Sequence, residues 1–122
     1  MSSVAQTAGS VRILGVRIDD ITMDETIAAI EAMIERGGHH QIITANPEHL
    51  VAARSQRPFR ATLEAADIAT ADGAGLLHAA RWQGRPLRER VTGVDLTERI
   101  AAESARRAGS GRPWRLFLLG AG

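Results

Sequence analysis

The sequence predicts an α/β fold in which a mostly parallel, Rossmann-like sheet is flanked by helices and preceded by a small N-terminal β-hairpin. Two stretches carry this prediction, because in each of them a short apolar strand leads directly into a helix start. The first is Gln41–Pro47 and the second is Asp67–Gly75. Strands that alternate with helices along a chain indicate βαβ units, which place parallel strands side by side.

The composition narrows the class of protein. The chain has 122 residues, of which 44% are hydrophobic, and this suits one domain with an apolar core. Its 15 basic and 14 acidic residues give a net charge of +1, so we do not expect a nucleic-acid-binding domain. Cysteine, a signal peptide and a run of about 20 apolar residues are all absent from the sequence. We therefore expect a cytoplasmic or membrane-peripheral protein without disulfide bonds.

The N-terminal third is predicted to hold a tail, a hairpin and a helix. Residues 1–10 are small and polar, as in a disordered tail. Val11–Asp20 alternates apolar with polar residues around Gly15, as in a small hairpin or two short strands. Thr22 and Glu25 have the spacing of a capping box, so a helix should begin there and end at Gly37-Gly38. The residues that this helix should bury are Ile27, Ile30, Met33 and Ile34.

The central part is predicted to contain two strands and three helices. The strands are Gln41–Thr44 and Asp67–Thr70. Asn46 followed by Pro47 fits the N-cap and first position of a helix, because proline has no N–H to satisfy there. The predicted helices are Pro47 to Gln56, Pro58 to Ala66 and Gly73 to Gln83, and their predicted inward residues include Leu50, Val51, Ala53, Phe59 and Leu63.

The C-terminal part is predicted to contain a charged loop, a helix and a strand. The loop is Gly84–Arg90, and the helix is Asp95–Ala108 with Leu96, Ile100 and Ala101 inward. The apolar run Arg115–Leu119 predicts a buried strand, and Gly120–Gly122 predicts the start of a turn. Because such a turn normally leads into a helix, we expect residues 11–122 to be the N-terminal part of a longer domain. In that case Leu116, Leu118 and Leu119 would lack a covering helix.

Polar side chains follow two of the predicted strands. Thr44 and Asn46 lie at the end of the first, and Asp72 follows the second. In open α/β sheets, ligands bind outside the carboxyl ends of the strands. We therefore expect Thr44, Asn46 and Asp72 to face one crevice.

Four motifs in this order carry a resemblance to a known family. They are Thr44–Glu48, Ala66–Gly73, Arg90–Leu96 and Phe117–Gly120. Together they resemble the WecG/TagA/CpsF family of bacterial glycosyltransferases, glycosyltransferase family 26, and the opening stretch Ile13–Asp19 is similar to the family's start. The resemblance extends over nearly the whole chain, from Val11 to Gly122.

The resemblance implies an inverting, metal-independent transferase without a cofactor. Such enzymes move a sugar, often N-acetylmannosamine, from a UDP-sugar donor to an undecaprenyl-diphosphate-linked sugar acceptor. They serve the assembly of teichoic acid, common antigen or exopolysaccharide. The resemblance also implies a longer chain whose second half adds UDP contacts and a membrane-proximal segment, and hence a location at the inner face of the plasma membrane.

The resemblance also implies roles for four residues, and each has a structural alternative. Asp72 matches the proposed catalytic base, since a carboxylate can accept a proton from an attacking hydroxyl; the alternative is a helix N-cap. Thr44 and Asn46 match substrate-pocket residues, against the alternatives of a strand end and an N-cap. Arg90 matches an arginine near the diphosphate, against a solvated loop charge. Arg85 and Arg88 are interpreted as solvated loop charges.

Other site types have weaker support. No Asp-x-Asp motif of metal-dependent sugar-nucleotide enzymes occurs, and Asp19-Asp20 is interpreted as a solvated strand end. The four histidines lack metal-ligand spacing. One alternative function is a truncated, non-catalytic module that binds nucleotide-sugar or forms a homo-oligomer. A third is a nicotinamide-dependent oxidoreductase, which rests only on Gly120–Gly122.

Overall fold

The computed structural model describes residues 9–120. Residues 1–8 of the predicted tail therefore lie outside the described residues, whereas Ser10 begins the first strand. None of the helices in the described range is long and apolar enough to cross a membrane. The elements in chain order are β1 (Ser10–Ile13), β2 (Val16–Asp19), α1 (Met23–Arg36), β3 (Ile42–Ala45), α2 (Pro47–Ser55), α3 (Arg57–Ala65), β4 (Ile68–Ala71), α4 (Ala74–Trp82) and α5 (Gly93–Ala108).

The predicted α/β class is confirmed. Strands β1 and β2 form an antiparallel hairpin, and β3 pairs with β4 in parallel. Both parallel strands begin one residue later than predicted, and their register places Thr44 opposite Thr70 and Ala45 opposite Ala71. Helices α2 and α3 connect these two strands, which makes a βαβ unit with two helices in its crossover.

The predicted hairpin is confirmed, and its turn is fixed to a distant helix. Leu14 and Gly15 both have positive φ angles, 50° and 77°, as a two-residue hairpin turn of type I′ requires. The Arg60 guanidinium of α3 donates a hydrogen bond to the Gly15 carbonyl at 2.9 Å. A Cβ atom on residue 15 would lie 2.6 Å from Arg60 Nη2, the movable end of a flexible side chain, so glycine suits this position chiefly because of its positive φ.

Asp19 corrects the prediction of a solvated strand end. Its residue exposure is only 3%, and its carboxylate accepts the Ala69 N–H of β4 at 2.8 Å. Burial raises the pKa of Asp19, although the Ala69 hydrogen bond and the Arg17 charge, 3.1 Å away, oppose that shift. Asp19 thus joins the hairpin to β4, because its side chain accepts a backbone N–H that no neighbouring strand within residues 9–120 pairs with.

Helix α1 begins as the capping box predicts, but the predicted burial of one residue in its last turn is wrong. Thr22 accepts the Glu25 N–H, and the Glu25 carboxylate accepts the Thr22 N–H. Ile27 and Met33 are buried as expected. Ile34 is 51% exposed, because it borders an open groove that Gly38 and Ile100 also line.

Three further burial predictions are wrong. Val51 is 60% exposed and Ala101 is exposed, so α2 and α5 bury narrower faces than their apolar positions indicate. Residues 115–119 form no strand, since no strand edge within residues 9–120 pairs with them. Leu116, Leu118 and Leu119 are exposed.

We predict that the ion pair at the start of α1 makes stability depend on pH. Hydrogen bonds from Arg88 and from the Thr22 N–H lower the pKa of Glu25 from its ordinary value of 4.5. Ionised Glu25 therefore stabilises the fold at pH values above its ordinary pKa of 4.5. This stabilisation is lost as the pH falls through the lower pKa that Glu25 has in the folded state. Glu25→Gln, which keeps the capping box, should lower the melting temperature at neutral pH and leave it unchanged in strong acid.

Glu98→Gln is the matched control for thermal unfolding across this pH range. Glu98 is exposed, and its side chain forms no hydrogen bond or ion pair within residues 9–120. Its substitution should shift the melting temperature equally little at every pH. A Glu25→Gln deficit that persists unchanged in acid would contradict the role of the charge.

Candidate active site

The structure brings Thr44 and Asp72 together at the carboxyl ends of β3 and β4. Asp72 follows β4 directly, and its N–H donates to the Ala45 carbonyl of β3 at 2.8 Å. Gly93, the first residue of α5, donates its N–H to Asp72 Oδ2 at 3.0 Å. A Cβ atom on residue 93 would lie 3.0 Å from Thr44 Oγ1 and 3.6 Å from Asp72 Oδ2. Thr44 and Asp72 therefore both flank the Gly93 backbone.

Asp72 does not cap the helix that follows it. The N-cap of α4 is Gly73, and no side chain caps this helix. The Asp72 carboxylate instead accepts a hydrogen bond from the start of α5, which is 21 residues further along the chain. Within residues 9–120, only Oδ2 of this carboxylate accepts a hydrogen bond, so Oδ1 can accept one from a ligand.

Asn46 does cap its helix, as its structural alternative states. Its Oδ1 accepts the His49 N–H at 3.0 Å, and His49 Nδ1 accepts the Asn46 N–H at 3.3 Å. This reciprocal pair is a capping box with histidine at the third position. The Asn46 side-chain NH₂ forms no hydrogen bond within the described part of the chain, so the same residue can still donate to a ligand.

Three helices begin at this edge of the sheet. Helices α2 and α4 follow β3 and β4, and α5 begins at Gly93 beside Asp72. The starts of α2 and α4 are closely packed, since a Cβ atom on Gly73 would lie 2.9 Å from Pro47 Cδ. Free N–H groups and the helix dipole make helix N-termini favourable places for an anion.

The segment before α5 is joined to the end of β4 by two further hydrogen bonds. The Val91 N–H donates to the Ala71 carbonyl at 2.9 Å. The Thr70 hydroxyl, which is buried, donates to the Val91 carbonyl at 2.9 Å. Thr92 then caps α5 by accepting the Asp95 N–H. These contacts fix where Gly93 lies relative to Asp72.

Comparison with known proteins now identifies the family. The sequence profile described as the glycosyl transferase WecG/TagA/CpsF family matches residues 11–122. The chain belongs to this family. Relatives from three strains of Staphylococcus aureus are each 30% identical to it over 90 residues, which is 72% of this chain and 35% of the relative. The chain thus spans about a third of the length of these curated relatives, which are named N-acetylglucosaminyldiphosphoundecaprenol N-acetyl-beta-D-mannosaminyltransferase.

Arg90, the fourth residue that the family resemblance singles out, is exposed. Its side chain forms no hydrogen bond or ion pair within residues 9–120. Its neighbour Val91 is hydrogen-bonded to the end of β4, so the Arg90 backbone lies beside the carboxyl edge of the sheet. The structure does not bring the Arg90 guanidinium into contact with Thr44, Asn46 or Asp72 through a hydrogen bond.

Arg88 is not the plain solvated charge that the sequence predicts. Its guanidinium contacts Asp20 Oδ1 at 3.2 Å and Glu25 Oε1 at 2.6 Å. These bonds hold the loop between α4 and α5 against the start of α1. Arg85 is exposed, as predicted. No group of three His, Asp or Glu side chains in the range 9–120 is arranged to hold a metal ion.

Sequence reasoning missed Gly93 and Thr70. Gly93 lies inside the family motif Arg90–Leu96, but the predicted helix began at Asp95, and this placed Gly93 in a loop. The sequence does hold a signal for the true start of α5, because Thr92 is a favourable N-cap residue and Asp95 follows it at the third helical position. Thr70 looks like an ordinary strand threonine, because its partner lies 21 residues away.

We predict that Gly73 is required for the approach of α2 to α4. Its φ of −131° suits any residue, so only space is at issue. Gly73→Ala should lower the free energy of unfolding by about 1–3 kcal/mol, the usual cost of overpacking, because the proline ring at Pro47 cannot rotate away. Urea unfolding measures the difference.

Gly109→Ala is the matched control. Gly109 has a φ of −63°, and the nearest atom to an added Cβ is 3.5 Å away, which is an ordinary contact. This variant should unfold within about 0.5 kcal/mol of the parent. Equal stability of Gly73→Ala and Gly109→Ala would show that the two helix starts are not tightly packed.

Proposed function

We propose that this chain supplies the catalytic edge of an inverting, metal-independent glycosyltransferase. The enzyme moves N-acetylmannosamine from UDP to an undecaprenyl-diphosphate-linked N-acetylglucosamine in the synthesis of a bacterial cell-surface polysaccharide. The observation that carries the proposal is the Asp72 carboxylate, held beside Thr44 at the carboxyl edge of the sheet in a member of this transferase family. The names of the relatives support the sugar and the lipid acceptor.

Asp72 is the general base in this proposal. Its Oδ1 accepts the proton of the acceptor hydroxyl while that oxygen forms a bond to the anomeric carbon. The bond from this carbon to the UDP oxygen breaks, and UDP leaves with the electron pair. Because the attack comes from the face opposite the leaving group, the anomeric configuration inverts. A positioned base contributes roughly 10²–10⁴ to the rate of such a step.

Thr44 and Asn46 orient the sugar in this proposal. The Thr44 hydroxyl lies beside Gly93 and the Asp72 carboxylate, and it forms no hydrogen bond within residues 9–120. The Asn46 NH₂ adds two donors at the start of α2. Both groups suit the hydroxyl and acetamido groups of a sugar, which each accept and donate hydrogen bonds.

The leaving diphosphate is stabilised by positive charge. Arg90 is an exposed guanidinium beside the carboxyl edge, and guanidinium matches phosphate oxygens in a two-bond geometry. The start of α4 at Gly73 has no side-chain cap, so its N–H groups can meet a phosphate. In this metal-independent proposal, these groups supply the electrostatic stabilisation of the leaving diphosphate.

The lipid-linked acceptor sets the proposed location. An undecaprenyl chain keeps its sugar at a membrane surface, so we place the enzyme as a peripheral protein at the inner face of the plasma membrane. The proposed substrates are therefore a UDP-sugar from solution and an acceptor sugar at the membrane.

One observation favours a second candidate function. Phe117, Leu118 and Leu119 are 80–90% exposed and consecutive, and an apolar stretch of this kind promotes association between copies. The chain would then be a non-catalytic module that binds nucleotide-sugar or self-associates. Transfer of radiolabelled sugar from UDP to the lipid acceptor by the unsubstituted protein separates the two candidates.

We predict that Asp72→Asn separates a base from a structural carboxylate. Asparagine can still accept the Gly93 N–H, so the melting temperature should change little, whereas turnover should fall by roughly 10²–10⁴ because no proton acceptor remains. Asp72→Ala should lose the same turnover and also about 1 kcal/mol of stability, because the Gly93 N–H loses its partner. Transfer assays and thermal unfolding measure the two effects.

Asp67→Asn is the matched control for Asp72→Asn. The Asp67 carboxylate accepts the Gln41 N–H at 2.7 Å, and it lies at the amino ends of β3 and β4, the opposite edge of the sheet. This variant should turn over like the parent. Wild-type turnover by Asp72→Asn would remove Asp72 from the reaction and direct the search for the base to Glu48 or Asp95.

We predict that Arg90 contributes to UDP affinity. Arg90→Gln should weaken UDP binding by about 10-fold or more, the usual worth of one charge-assisted hydrogen bond, and Arg90→Lys should recover only part of it. Titration calorimetry with UDP measures the affinities. Arg85→Gln removes a charge from the same loop and should bind UDP like the parent; equal affinities for the Arg85 and Arg90 variants would exclude the diphosphate role.

A further inference from the structure

We propose that Thr70 is a positioning residue for Asp72, a role that rests on the proposed transfer reaction. Thr70 lies within β4 and is fully buried, with 0% exposure, among the apolar neighbours Ile68, Ala69 and Ala71. A buried hydroxyl is unfavourable unless it is hydrogen-bonded. Its bond goes to the Val91 carbonyl, outside the sheet, at 2.9 Å.

The Thr70 hydroxyl is the first of three contacts between the end of β4 and residues 91–93. The second joins the Val91 N–H to the Ala71 carbonyl at 2.9 Å, and the third joins the Gly93 N–H to Asp72 Oδ2 at 3.0 Å. Only the third touches the proposed base. The first two fix the peptide that carries the third, so Thr70 acts on Asp72 through Val91 and Gly93.

The segment needs such a contact because the loop before it has no regular structure. Residues 83–92 connect α4 to α5 without a helix or strand. Arg88 anchors the middle of this loop to Asp20 and to Glu25 at the start of α1. A catalytic group must be held within about 0.5 Å of its productive position, and a loop alone does not supply that precision.

Because Gly93 has no side chain, its backbone lies directly against Thr44 and Asp72, and the geometry of the site depends on where this peptide lies. The Gly93 backbone lies between Thr44 and Asp72, with 3.0 Å from a would-be Cβ to Thr44 Oγ1. A small displacement of this peptide would therefore both release the carboxylate and enter the space beside the Thr44 hydroxyl. The Thr70 bond keeps that space open for the sugar.

Substitution of two buried threonines tests the proposal in the complete protein. Thr70→Val removes the hydroxyl and keeps the shape, and Thr70→Ser restores the hydroxyl. Thr26→Val is the matched control, because Thr26 is also fully buried and donates to the Thr22 carbonyl at 2.8 Å, within α1. If Thr70→Val does not fold, Thr70→Ala replaces it in the same comparison.

We expect Thr70→Val to lower kcat on the order of 10-fold to 100-fold, as a misplaced catalytic group does. The KM for UDP-sugar should change much less than kcat, because the diphosphate contacts proposed for Arg90 and the start of α4 do not depend on this peptide. Thr70→Ser should restore kcat, and Thr26→Val should lose stability without losing kcat. The Gly93 amide should exchange its hydrogen faster in Thr70→Val than in Thr26→Val.

A kcat for Thr70→Val equal to that of Thr26→Val would overturn the proposal, as would an unchanged rate of Gly93 amide exchange. Failure of the proposed function gives a different result, since the unsubstituted protein would then transfer no sugar to the lipid acceptor. The Gly93 exchange rate would in that case decide on its own whether Thr70 holds this peptide.

Discussion

Parallel pairing of β3 with β4 is the constraint on which the candidate site depends. The register that places Thr44 opposite Thr70 also brings both strand ends to one edge. Asp72 then lies beside Ala45, and the helices that follow both strands begin at the same place. An antiparallel pair would have put Asn46 and Asp72 at opposite edges. The polar residues of two separate motifs meet because their strands run in the same direction.

The two polar residues at the strand ends differ in what fixes them. Asn46 is held by His49, three residues away, so its side-chain oxygen is committed locally whatever the rest of the fold does. Asp72 is held by Gly93, and this contact exists only when α5 docks at the edge of the sheet. The carboxylate therefore acquires its orientation from tertiary structure. A base that is oriented in this way is sensitive to the segment that carries its partner, and Thr70 and Val91 hold that segment.

The same distinction explains how much the sequence could predict. The capping box of α1, the hairpin turn and the start of α2 depend on residues a few positions apart, and all three were predictable. Thr44 and Asp72 were predicted to meet because strand direction follows from the βαβ order. The predictions for Asp19, Ile34 and residues 115–119 are wrong, because burial and strand pairing depend on which distant parts of the chain pack against a residue. The contact of Asp72 with Gly93 has no local signal at all.

The proposed base and the proposed leaving group are both anionic, so their charges would repel each other if both lay at the same place. The three helices that begin at this end of the sheet differ in which group their first N–H groups contact. Helix α2 has its cap from Asn46, and α5 has Thr92 and also gives its Gly93 N–H to Asp72. Helix α4 begins at Ala74 after the N-cap Gly73 and has no side-chain cap, so N–H groups of its first turn are available to an anion. In an inverting transfer the base and the leaving group lie on opposite faces of the sugar. On the proposed function, α5 therefore serves the base, and α4 with Arg90 serves the diphosphate.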